Sequence, residues 1–195
     1  FDIPAQPPHR ERRLRGRFRR PPAAVLRAAA PAEVPGVVAA AEAAALAGSW
    51  VVGGLSYAAS GAWDAAQRAR TDDAPAAHFE VYPDPPEPWP DDPSPLPALD
   101  WRPDALLAGG LSATAAIGRV LEHIGAGDCY QVNLTTRWRT AAPGLDLFDH
   151  FAALASAQSG GYAVFSASAG VASVSPELFF SRHADGLVTQ PMKGT

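Results

Sequence analysis

With 195 residues, 47% of them apolar, the chain is long enough to enclose a sizeable core without covalent staples. Its single cysteine, Cys129, excludes an internal disulfide framework, and its histidines (His9, His78, His123, His150, His183) show no zinc-like spacing. The formal net charge is −4, yet half of the 16 Lys and Arg residues fall within the first 27 positions, so a basic arm precedes an acidic body.

The arm runs through Arg10-Glu11-Arg12-Arg13-Leu14-Arg15-Gly16-Arg17-Phe18-Arg19-Arg20. Such a run can neutralise phosphates, but no nucleic-acid recognition fold follows it. Residues 1–30 are therefore read as a solvated, partly disordered arm that binds no nucleic acid. The start at Phe1 and the stop directly after Gly194 read as cuts in a longer chain.

Residues 31–82 are expected to hold a helix and strands. The Ala-rich stretch from Pro35 to Ala47 predicts a helix, with Pro near its start and Gly48 just past its end. Trp50–Leu55 and His78–Tyr82 predict two strands of one sheet, and Gly53-Gly54 predicts a bulge or a close backbone approach. Residues 43–63 carry no charge, but their Ala, Gly, Ser and Tyr content transfers poorly into lipid. Neither a membrane span nor a signal peptide is expected, and a cytoplasmic protein is.

Residues 83–103 contain nine prolines among acidic residues and predict an extended linker crossing the surface. In residues 104–195 the pattern sharpens. Ile117, Val120, Leu121 and Ile124 fall at helical spacing, with Ser112 or Thr114 as the cap and Gly125 or Gly127 as the stop. The alternation of Cys129–Trp138 predicts a strand with Tyr130, Val132 and Leu134 turned to the core, and Gln131, Asn133 and Thr135 on a polar face. A helix from about Asp146, strands over 162–168 and 171–175, and a hairpin over 178–190 complete the pattern. Helices followed by paired strands, without a G-x-G-x-x-G loop, predict an α+β fold with largely antiparallel sheets.

Three segments together, IGAGDCYQVNLTTRW (124–138), SVSPELFF (173–180) and TQPMKGT (189–195), resemble the chorismate-binding enzymes. GSWVVGGLSYAASGAWD (48–64) is similar to an earlier strand of that family, with Ala58 where the pattern usually has Glu. The family includes component I of anthranilate synthase and of aminodeoxychorismate synthase, and the resemblance is closest to the latter. It implies two packed, largely antiparallel sheets flanked by helices, present here as roughly the first half. It also implies chorismate as substrate, ammonia from a glutamine amidotransferase subunit or fused domain, and Mg²⁺ held by glutamates beyond Thr195, so that this part alone is inactive.

By the same resemblance Lys193, the only lysine, is the nucleophile at ring carbon C2, in a place where anthranilate synthases usually carry Ala. The amine must be neutral to attack, so burial or a neighbouring cation has to depress its pKa. Glu177 maps to the general acid that turns the C4 hydroxyl into departing water. Gly194 and Thr195 are expected to hold substrate oxygens. Gln131 stands where water-using relatives carry Lys; an amide positions ammonia without acting as a base. Anthranilate synthase component I and a non-catalytic fragment of the same fold are the alternatives, and no Leu-Leu-Glu-Ser-like segment supports tryptophan binding.

Overall fold

The structure, a computed structural model, describes residues 1–4, 13–64, 66–67, 74–89, 98–103, 110–158, 161–183 and 186–190. Contacts divide the chain into one unit of residues 1–94 and 147–195 and another of residues 95–146.

The first unit begins with two short strands, β1 (Asp2–Pro4) and β2 (Arg13–Arg15), which pair antiparallel. β3 (Ala24–Ala28) follows, then a 3₁₀ turn and helix α1 (Val34–Leu46), which begins and ends within a residue of the expected bounds. β4 (Trp50–Leu55) and β5 (Ala77–Tyr82) then form an antiparallel sheet in the order β3-β5-β4. The close approach expected at Gly53 is present. A Cβ there would overlap the His78 carbonyl oxygen and lie 2.6 Å from Phe79 Cα, so only glycine lets β4 reach β5 at this register. α1 covers one face of the sheet, where Ala28, Val34, Ala59, Ala76 and Ala77 form a small core with Val37, Val38 and Phe79.

Two sequence expectations are corrected here. Residues assigned to a partly disordered arm supply β1, β2 and β3, because their backbones find ladder partners: β1 pairs with β2 and β8, and β3 with β5. The Pro-rich stretch is more than a surface spacer: Trp89 is only 8% exposed and packs on Phe148 and Phe151. Residues 90–97 of that stretch lie outside those described.

Before the first unit resumes, the second unit supplies β6 (Arg102–Pro103), α2 (Ala113–Ala126) and β7 (Trp138–Arg139), with β6 and β7 paired antiparallel. α2 has the predicted ends. The Ser112 hydroxyl accepts from Ala115 N at 3.3 Å, and Gly127 takes a left-handed conformation (φ 81°) while Asp128 N bonds back to the His123 carbonyl at 3.0 Å. The strand expected over 129–138 does not form; only Trp138–Arg139 pairs. The apolar face of α2 is likewise open, with Ile117 50% and Leu121 62% exposed. The cause is common to both: among the described residues this unit encloses no core for that face, and a half-buried strand needs both a ladder partner and a core to lie on.

The first unit continues with α3 (Leu147–Ala157), β8 (Tyr162–Ser166) and β9 (Val171–Ser175), which join the sheet β2-β1-β8-β9. α3 packs on β8 and β9 over an aromatic core of Trp89, Phe148, Phe151 and Phe165 with Ala152, Ala155 and Ala163. The hairpin of β10 (Leu178–His183) and β11 (Gly186–Gln190) ends the described chain. Among the described residues the fold is α+β with several small antiparallel sheets.

Candidate functional site

Glu177 lies between β9 and β10. Ser175, the last residue of β9, folds the connection: its hydroxyl accepts from Glu177 N at 3.2 Å and donates to the Glu177 carbonyl at 3.4 Å. Ser175-Pro176-Glu177 is therefore a side-chain-stabilised turn and not a helix start. Glu177 is exposed at this turn, directly before β10.

Register then relates this turn to the last motif. Leu178, next to Glu177, pairs with Gln190, and Gln190 is three residues before Lys193. The hairpin thus brings the Glu177 turn and the root of the lysine motif to one end. Lys193, Gly194 and Thr195 themselves lie outside the described residues. Tyr162, at the start of β8, donates its hydroxyl to Gln190 Oε1 at 3.3 Å and so reaches β11 from a different sheet.

Gln131 belongs to the second unit. It is exposed in an irregular segment, and its Nε2 lies 3.5 Å from Asn133 Oδ1. Asp128 Oδ2 lies 2.8 Å from His123 Nδ1 across the end of α2. Cys129 is half-buried.

Sequence reasoning missed a buried polar cluster in the first unit. On β5, His78, Glu80 and Tyr82 share the face opposite α1, as the strand period dictates. Glu80 accepts from Ser166 Oγ at 3.0 Å, from Tyr82 at 2.8 Å and from Ser168 Oγ. His78 Nδ1 accepts from Arg27 Nε at 3.1 Å, which places the ring proton on Nε2, 2.9 Å from Ser168 Oγ. The relay therefore runs Arg27 to His78 to Ser168 to Glu80, so His78 is a donor toward Ser168 and cannot activate it as a nucleophile. Burial opposes charge on Glu80, but the hydrogen bonds from Ser168, Tyr82 and Ser166, with His78 nearby, hold its carboxyl below the usual range. Burial first, and then the Glu80 carboxylate, push the Tyr82 hydroxyl well above its ordinary value. Glu80, Tyr82 and Ser168 also line a cavity of about 390 Å³ with Arg17, Phe18 and Phe165. The i, i+2, i+4 polar positions of β5 were the available signal; their serine partners lie 86 and 88 residues away, beyond any local pattern.

Among the described residues no three His, Cys, Asp or Glu side chains converge as metal ligands. No helix among them is long and apolar enough to cross a membrane.

Comparison with known proteins adds to this geometry. Residues 114–195 match the sequence model of the chorismate binding enzyme family. Component 1 of aminodeoxychorismate synthase from Lactococcus lactis subsp. lactis is 36% identical over 77 residues, which is 40% of this chain and 16% of that relative. No solved structure matches the chain. The matched stretch 114–195 contains the 124–138 region, the Glu177 turn and the Lys193 motif, and over it the chain is similar to the chorismate binding enzymes.

Proposed function

We propose that the complete protein is the aminating subunit of 4-amino-4-deoxychorismate synthase, a cytoplasmic enzyme that converts chorismate and ammonia to 4-amino-4-deoxychorismate on the way to 4-aminobenzoate and folate. The observation that carries this reading is Lys193, the sole lysine, in Pro191-Met192-Lys193-Gly194-Thr195. The similarity to an aminodeoxychorismate synthase component supports it, as does the hairpin register that relates Glu177 to the root of that motif.

In this reading the Lys193 amine forms a bond to ring carbon C2, both ring double bonds shift along the ring toward C4, and the C4 hydroxyl leaves with its bonding pair. Glu177 gives the departing oxygen its proton, so that water rather than hydroxide is released. Ammonia then adds at C4, both double bonds shift back, and the C2–nitrogen bond breaks to return the lysine. Gly194 and Thr195 hold substrate oxygens, and Gln131 orients ammonia. Ammonia comes from a glutamine amidotransferase subunit or fused domain. Mg²⁺, which would neutralise the substrate carboxylate, would be held by glutamates in the two-sheet fold of the complete enzyme.

The test is chromatography of products formed from chorismate and ammonium by the complete protein. The expected product is 4-amino-4-deoxychorismate, and release of 2-aminobenzoate with pyruvate would overturn the assignment. Lys193→Ala should abolish a covalent adduct seen by mass spectrometry and lower amination by about a hundredfold or more; unchanged kinetics would remove Lys193 from the mechanism.

A further inference from the structure

We propose that Tyr162 is a positioning residue: through Gln190 it fixes the strand from which Lys193 acts, and through Ser175 it fixes the turn that carries Glu177. The inference rests on the proposed roles of Lys193 and Glu177 and assigns a role that those roles do not contain.

The backbone of Tyr162 pairs with Ser175, whose hydroxyl makes both hydrogen bonds of the Glu177 turn. The two strands approach closely here. A Cβ on the preceding Gly161 would lie 3.1 Å from the Ser175 carbonyl oxygen and 3.3 Å from Gln158 Cγ, so the start of β8 has little room to shift. The ring hydroxyl of the same residue then donates to Gln190 Oε1 at 3.3 Å. One half-buried side chain thus ties β8 and β9 to the last described residue before the lysine motif.

The hairpin needs such an outside anchor. Its ladder is regular from Ser181–Val188 to His183–Gly186, but the register shifts between Ser181 and Leu178, so the Leu178–Gln190 pair stands apart from the rest. Thr189 Oγ1 donates to the Phe179 carbonyl at 2.7 Å across that irregularity and holds the two strands to each other, not to the sheet. The contact from Tyr162 supplies that second reference. Lys193 follows Gln190 by three residues in sequence, and attack geometry is sensitive to shifts of about 1 Å.

The experiment uses the complete protein with chorismate and ammonium. Tyr162→Phe removes the donor and keeps the ring. It should lower both kcat and the rate of Lys193 adduct formation by about tenfold while leaving KM for chorismate within about twofold. Gln190→Leu should give the same loss, the double variant should be no slower than either single one, and Gln190→Glu, which keeps an acceptor, should recover most of the rate. A packing role alone would lower the melting temperature of Tyr162→Phe without moving the adduct rate. Wild-type adduct kinetics in Tyr162→Phe, or equal rates for Gln190→Leu and Gln190→Glu, would overturn the inference. If Tyr162→Phe fails to fold, the Gln190 pair decides. Lys193→Ala in parallel separates the levels: an inactive Lys193→Ala beside an unaffected Tyr162→Phe removes the positioning role alone, whereas an active Lys193→Ala removes the reading beneath it.

Discussion

Glu80 keeps its charge with only 4% of its surface exposed, because three hydroxyl donors converge on it. Its folded carboxyl is held below the ordinary range, so its contribution is complete above the unfolded carboxylate value of about 4.3 and is lost as pH falls through the lower folded value. Glu80→Gln replaces an acceptor-only group with one that must donate toward a hydroxyl already pointed at it. The expected loss is roughly 1–3 kcal/mol at pH 7, shrinking as pH drops below about 4. Urea unfolding of both proteins between pH 3 and pH 7 measures it, and a pH-independent difference would show that ionised Glu80 contributes nothing. At this scale the sequence was half legible. His78, Glu80 and Tyr82 could be placed on one face of β5, but Ser166 and Ser168 could not be brought to them from spacing. Glu177 could be singled out from its motif, whereas the hydroxyl of Ser175 that shapes its turn was visible only in three dimensions.

Helix α2 shows which elements a sequence declares. Its ends are local events: a serine hydroxyl meets an orphan backbone donor, and a glycine turns left-handed at the stop. Both could be read directly from residues 112–127. Ser112→Ala should destabilise the helix by about 1 kcal/mol. Gly127→Ala should cost a similar amount, about 1 kcal/mol, since φ of 81° suits glycine alone. Helical circular dichroism during thermal unfolding reads both, and an unshifted transition in either variant would mean that the cap is idle. The segment after α2 is the contrary case. Its alternation is as clear as that of β5, yet β5 has a strand on each side and 131–137 has none among the described residues. Alternation reports which side chains would share a face. It does not report whether another strand is there to complete the ladder.

Across the whole molecule the two cores of the first unit differ in kind. The core beneath α1 is mostly alanine, so each residue removes little apolar area from water. The core beneath α3 concentrates aromatic rings: Phe151, fully buried, meets Trp89, Phe148 and Phe165 at centroid distances of 5.2, 6.1 and 5.6 Å. Trp89 reaches this core from a Pro-rich stretch whose composition pointed to an exposed spacer; proline denies such a segment a helix but does not keep a neighbouring indole out of a pocket. Phe151→Ala should therefore cost about 3–5 kcal/mol, whereas Val37→Ala, at the edge of the first core, should cost less, at about 1–2 kcal/mol. The other tryptophans (Trp50, Trp63, Trp101, Trp138) are all substantially exposed, so Trp89 supplies the blue-shifted, quencher-resistant part of the emission. Following that component in urea, with Trp89→Phe as the control that removes it, reports the aromatic core alone. A midpoint for Phe151→Ala no lower than that for Val37→Ala would show that the α3 core is not what holds β8, and with it Tyr162, in place.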